Sequence, residues 1–243
     1  FLDKIVEGLL VLLPPAALLG PWAGSGRVFG YRILVVLLVG CAVTGWIYPI
    51  WVRRFSRAAC AIVVVAVAWA VTGVVGAMRL GPHRDLSSLM GAGLALAGAW
   101  SVARLISDRH IRRERALRDV AIGWAVAVWA GAPLAVWEIL TARHLGTYAD
   151  GAWRNHPGLY RQPATWLTNP NLYAVFLAIG SVWVGVVGVR SATRWVRIAA
   201  IATAVTGLGL LLATDSRIVY AALLLAVMVR LWACLLYTSD AAD

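Results

Sequence analysis

Eight long apolar stretches, separated by short polar ones, constrain this chain more than anything else in it. They run at approximately 5–21, 31–49, 58–77, 86–106, 120–140, 170–189, 198–213 and 217–233. A helix needs about 20 apolar residues to cross a hydrocarbon core of about 30 Å. Within lipid every backbone amide and carbonyl must be paired inside the segment, which leaves helices and closed barrels. Barrel strands would alternate apolar and polar residues over about ten positions, and these runs are longer and continuously apolar. The fold expected is therefore all-α, a polytopic transmembrane helix bundle of about eight spans. Composition agrees: 61% of residues are hydrophobic and 14% charged, against about 45–50% and 25% for soluble domains. Disorder is excluded by the same balance, and a disulfide scaffold by a count of three cysteines. Cys41 and Cys60 lie inside apolar runs and read as small hydrophobes. The first run carries Glu7 and the pair Pro14-Pro15, so it is expected to be kinked or shortened.

The formal charge is +11, from 22 basic and 11 acidic residues. The basic residues occupy the short loops between apolar runs rather than one domain, which is how topology determinants are distributed and not how a nucleic-acid surface is built. With the N-terminus in the cytoplasm, the inside segments hold fourteen basic residues and the outside segments eight. The positive-inside rule favours that orientation, and the stretch 107–119 (SDRHIRRERALRD), with five arginines, contributes most to it. This stretch reads as a solvated cytoplasmic turn, with an interfacial helix on anionic lipid as the alternative.

Residues 1–233 are expected to form one transmembrane domain. The string Cys234–Asp243 (CLLYTSDAAD) has the look of an in-frame translation of a sequencing-library adapter, and is expected to be a scar rather than native sequence. On that reading the natural protein continues past Ala233, and it also extends before Phe1.

The longest outside segment, 141–169, carries Tyr148, Trp153, Tyr160 and Trp166 with Arg143, Arg154, Arg161, His144 and His156. Aromatic residues at a membrane face form interfacial belts, while loops of this length in a compact protein are usually functional. His144 and His156 have no carboxylate or cysteine at ligand spacing within the loop, so no zinc site is read there.

Two short polar stretches interrupt the apolar pattern. In Thr168-Asn169-Pro170-Asn171, Pro170 suits the first turn of the helix that follows, and Asn169 suits its N-cap. The second, Ala213-Thr214-Asp215-Ser216-Arg217, lies between the last two spans. Asp and Arg cost about 2.5–3.5 kcal/mol each at mid-bilayer on insertion scales, so these residues belong at the interface or in a polar cavity. The plain reading of the first is a capped helix, and of the second a tight turn in which Asp215 pairs with Arg217. Both stretches fall on the outer face under an orientation derived from other loops.

Taken together the two stretches resemble the O-antigen ligase and O-antigen polymerase family of bacterial envelope glycosyltransferases. Asn169, Pro170 and Asn171 match the family's Asn-Pro-Asn opening of one helix, with Ala174 where a small residue is common. Ser216 and Arg217 match its later Ser-Arg pair, about 45 residues on. The resemblance implies a metal-independent enzyme of lipopolysaccharide or other polysaccharide biosynthesis, multi-pass in the bacterial inner (cytoplasmic) membrane. It would transfer or polymerise glycans from a polyprenyl-diphosphate-linked donor at the outer face. Arg217, Ser216, Asn169 and Asn171 are then the substrate-binding candidates, with Arg154 and Arg161 as possible additions. A guanidinium suits that task because it offers a planar fork to diphosphate oxygens and keeps its proton. The implied partners are the bilayer, the lipid-linked donor and a glycan or lipid acceptor, with no cofactor and no metal. Members carry a large loop after the Ser-Arg helix, whose histidine is thought to act as base on the acceptor hydroxyl. Here that position is reached by the string at Cys234, so the catalytic base is expected beyond it and the chain as it stands is expected to be inactive. A transporter or flippase for a lipid-linked or anionic substrate is the alternative, although no repeated halves with matching broken helices are visible. A non-catalytic membrane scaffold is a third reading.

Overall fold

The computed structural model describes residues 2–19, 24–25, 28–47, 67, 71, 93, 96–102, 113–144, 161–167 and 169–239. Six α-helices are bounded within them: α1 (Leu2–Leu19), α2 (Gly30–Ile47), α3 (Arg113–Thr141), α4 (Pro170–Val189), α5 (Arg194–Ala213) and α6 (Arg217–Ser239). A 3-10 turn at Thr165–Leu167 precedes α4. Among the described residues the one sheet is a two-stranded ladder, β1 (Gly24–Ser25) with β2 (Val28–Phe29), paired Gly24 to Phe29 and Ser25 to Val28. The protein is all-α and multi-pass: the stretches Glu114–Thr141, Pro170–Val189 and Arg194–Ala213 are each long and apolar enough to cross a bilayer. Gly30–Val43 and Arg217–Met228 are shorter apolar stretches. The spans expected at 58–77 and 86–106 lie outside the described residues, apart from Val67, Val71, Gly93 and residues 96–102.

Three boundaries differ from the sequence expectation. The fifth run begins at Arg113, seven residues before its apolar stretch, so part of the basic segment 107–119 is helix rather than turn. Arg, Glu, Ala and Leu are all strong helix formers, and a helix continues into water without loss once its apolar part is anchored. Helix α5 likewise starts at Arg194, and α6 runs on to Ser239. Helix α1 includes both prolines.

The chain divides into two compact units, Phe1–Gly123 and Trp124–Asp243, the division falling within α3. In the first, α1 and α2 form a hairpin across the β1–β2 turn and bury Val6, Leu9, Leu10 and Leu18 with Val35, Leu38 and Ala42. Pro15 lacks the N–H that Val11 O would accept in an unbroken helix. Gly123 of α3 packs at that carbonyl, and a Cβ on Gly123 would collide with it. Near the start of α3, Arg115 Nη1 donates to Glu7 Oε1 at 3.1 Å. Both side chains are partly exposed, so the pair contributes at most about 1 kcal/mol.

The second unit is organised by small residues. Helices α4 and α5 form an antiparallel pair across a short turn, where Ser191 N donates to Gly188 O at 3.0 Å. Gly188 faces Ala200, and Gly207 faces Ser181 and Val128, so closely that neither glycine has room for a Cβ. Gly180 admits the ring of Trp124, which stacks at 4.4 Å and 53° on Phe176. Lipid supplies no hydrophobic drive between helices, so close packing of this kind and interhelical hydrogen bonds hold them together. Trp129 Nε1 donates to Thr203 Oγ1 at 2.9 Å, joining α3 to α5, while Thr203 Oγ1 donates to Ala199 O. The opposite faces carry Leu140, Trp195, Leu212 and Ile218, each more than two-thirds exposed. In water that surface would aggregate, but in a bilayer it is the lipid contact.

Candidate functional site

Several polar groups of the second unit gather at one end, where α3 finishes, α4 begins, and α5 turns into α6. Asn169 is the N-cap of α4, in extended conformation, and its side chain accepts from Asn171 N at 2.8 Å and Leu172 N at 3.4 Å. Pro170 occupies the first turn as expected. This arrangement turns the Asn171 side chain away from its own backbone, toward the α5–α6 turn. There Ser216 Oγ donates to Asn171 Oδ1 at 2.8 Å, across 45 residues of chain. The two polar stretches singled out in the sequence are thus joined by a direct hydrogen bond.

The turn that presents Ser216 is heavily braced. Thr214 Oγ1 donates to Leu211 O at 2.7 Å, and Tyr220 Oη donates to Leu212 O at 2.8 Å and Leu211 O at 3.2 Å. Those carbonyls belong to the last turn of α5, whose acceptors have no intrahelical partner. Asp215 sits at φ 52°, the left-handed conformation that lets the chain reverse between two helices. Ser216 is buried, and its carbonyl accepts from Val219 N and Tyr220 N as α6 begins. A serine at a helix start commonly caps it with its hydroxyl. Here the hydroxyl reaches to the neighbouring helix instead.

Arg217, the next residue, is exposed at the N-terminal end of α6. The Asp215–Arg217 pairing expected for a plain turn does not occur: among the described residues neither side chain has an ion-pair partner. Left-handed geometry at Asp215 and the start of a helix at Arg217 separate the two groups. A guanidinium is therefore held out from a braced turn, one residue from the bond that ties α6 to α4. Arg161 is also exposed. Arg154, His156 and Thr168 lie outside the described residues.

A second polar group lies at the same end and escaped the sequence reading. Glu138, near the end of α3, is fully buried. Its Oε2 accepts from Ala164 N at 2.8 Å and Thr165 N at 2.9 Å. Thr165, directly after these two amides, adopts φ 51°, in the left-handed region. His144 Nδ1 stands 3.2 Å from the other oxygen, Oε1, within ion-pair distance but outside hydrogen-bonding alignment. The Tyr173 and Thr165 hydroxyls, both buried, make no hydrogen bond. A single carboxylate inside an apolar run was the available signal, because an ionisable residue within a span marks function or an internal partner. Among the described residues no three His, Cys, Asp or Glu side chains gather as a metal site.

No family model, no curated protein and no solved structure matches this chain.

Proposed function

We propose that the protein to which this chain belongs transfers or polymerises glycans from a polyprenyl-diphosphate donor, at the outer face of a bacterial inner membrane. The observation that carries this reading is the Ser216–Asn171 hydrogen bond, which brings the Asn-Pro-Asn and Ser-Arg stretches to one place. The reading places the N-terminus in the cytoplasm and counts about eight spans. On this reading the turn between α4 and α5, with Arg190 in it and Arg194 and Arg197 in the first turn of α5, faces the cytoplasm, while the end with Asn169 and Arg217 faces outward. A lipid-linked diphosphate lies at the headgroup level, where a helix start at the interface meets it.

In this reaction an acceptor hydroxyl attacks the anomeric carbon of the donor sugar. The bond from that carbon to the diphosphate oxygen breaks, and the diphosphate leaves with the electron pair. Charge grows on the leaving oxygens as the bond lengthens. Arg217 answers it with charge-assisted hydrogen bonds, helped by the positive end of the α6 dipole. Ser216 and Asn171 hold that helix start in position against α4, so Arg217 does not have to be ordered during the reaction.

The test is binding of polyprenyl diphosphate to the purified protein in nanodiscs, followed by glycan transfer from the matching lipid-linked donor by the full-length protein. Arg217→Ala should weaken binding about 10- to 100-fold, the equivalent of one or two lost charged hydrogen bonds. Arg217→Lys should retain part of it. Wild-type protein that ignores the lipid diphosphate, or an Arg217→Ala variant that binds it unchanged, would overturn the reading. Movement of the intact lipid across vesicles without glycan transfer would favour a flippase.

A further inference from the structure

No Asp or Glu occurs between Asp150 and Asp215, yet the connection of α4 to α5 gathers three arginines. Arg190 is the C-cap of α4, and Arg194 and Arg197 lie in the first turn of α5. All three are exposed, and among the described residues none has an ion-pair partner. The basic start of α3 is different: there Arg115 pairs with Glu7, and Glu114 and Asp119 stand beside the arginines in sequence.

Arg190 is well placed, because a cation complements the negative end of a helix. Arg194 and Arg197 are not, since they open α5 at the positive end of its dipole. At a spacing of three they also share a face, with Cβ atoms about 5–6 Å apart, where like charges repel. The first turn of α5 has no acidic residue to offset them. Such an arrangement is unfavourable within the chain, and becomes favourable when an anion with several oxygens lies between the guanidinium groups.

Depth and neighbours identify the anion. Helices α4 and α5 are 20 residues each. At about 1.5 Å per residue that is about 30 Å, the thickness of the hydrocarbon core. The turn 190–193 between two such spans is too short to leave the headgroup layer. Trp195 is 75% exposed and Ile198 44%, and their spacing of three makes a second strip next to the arginines. A tryptophan at this depth settles at the interface, with Ile198 one turn deeper against the acyl chains. The arginine strip lies at the same depth, and flexible stems carry its charged heads up to the phosphates.

We propose that the α4–α5 turn is a binding surface for an anionic phospholipid. Arg190, Arg194 and Arg197 share the phosphate oxygens, and Trp195 and Ile198 carry the glycerol and the upper acyl chain. The surface requires only that α4 and α5 cross the bilayer, and is independent of the chemistry at the Arg217 end.

The test is native mass spectrometry of the purified chain in detergent, titrated separately with phosphatidylglycerol and with phosphatidylcholine of the same acyl chains. Each arginine near a lipid surface contributes about fivefold in affinity, so replacing all three by glutamine should weaken phosphatidylglycerol binding about 100-fold. Phosphatidylcholine binding should not change. Arg194→Gln alone alters one exposed side chain, guards against misfolding of the triple variant, and should cost about fivefold. Arg118→Gln, an exposed arginine at the start of another helix, should bind phosphatidylglycerol as the wild type does. Glycerol phosphate, which has the anion without the chains, should not displace the lipid even in large excess. Equal wild-type affinity for the two lipids overturns the proposal, as does wild-type affinity for phosphatidylglycerol in the triple and Arg194→Gln variants. Loss in Arg118→Gln equal to that in Arg194→Gln would reduce the effect to general charge attraction and remove the assignment to this turn. Displacement by glycerol phosphate would make the surface a soluble-anion site and remove the lipid.

Discussion

Asn171 and Ser216 illustrate how a single side chain acquires its partner only after a neighbour has been satisfied. Asn169 caps α4 with its own oxygen, so Asn171 is released from local capping and its oxygen accepts from Ser216. Ser216 is buried, and loss of that acceptor leaves its hydroxyl unpaired at a cost of about 1–3 kcal/mol. Asn171→Ala should therefore lower the thermal unfolding temperature in detergent, while Asn171→Asp, which still accepts, should be tolerated. Equal destabilisation by both substitutions would mean that the hydrogen bond is not the source. Asn169→Ala removes only the cap and should cost about 1 kcal/mol.

Among the elements, the α4–α5 pair depends on glycines whose spacing matters more than their number. Gly207 and Gly209 lie two residues apart on α5 but on different faces. A Cβ on Gly207 meets Ser181 Oγ, whereas one on Gly209 meets nothing within 4 Å. Gly207→Ala and Gly188→Ala should each destabilise the helix pair by about 1–3 kcal/mol through overpacking. Gly209→Ala should be neutral or stabilising, up to about 1 kcal/mol from helix propensity. Unfolding in increasing SDS measures all three. A Gly207→Ala protein as stable as the Gly209→Ala protein would contradict the close approach described above. Helix α3 shows the complementary case: Trp124 and Trp129 of one helix fill the gaps that glycine and threonine leave in α4 and α5.

For the whole molecule, the charge distribution makes one topological prediction. In a background without Cys41, Cys60 and Cys234, cysteines introduced at Ala192 and at Arg143 should label from opposite sides of the membrane. An impermeant thiol reagent applied to intact cells should reach Arg143→Cys, and should reach Ala192→Cys only after the cells are opened. Both positions are exposed in the structure, so lack of space does not prevent reaction. Labelling of the Ala192 position from outside would invert the orientation and remove Arg217 from the face where the lipid-linked donor is expected.

The helical class, three of the long spans and the Asn169 cap with Pro170 behind it were legible in the chain itself. All depend on neighbours within a few residues, and apolar length and capping chemistry are local properties. The extension of α3 back to Arg113 was not, because polar residues with high helix propensity look the same in a turn and in a helix anchored by its apolar half. Nor was the role of Glu138: a carboxylate in an apolar run announces that it needs partners, but not that Ala164, Thr165 and His144 supply them. The joining of Asn171 to Ser216 was likewise decided by packing. Sequence alone determined which segments become helices and which polar groups the bilayer would not tolerate unpaired. Only tertiary structure decided which groups pair, because a hydrogen bond across 45 residues depends on how two helix ends meet, and that is set by the shapes of the side chains between them.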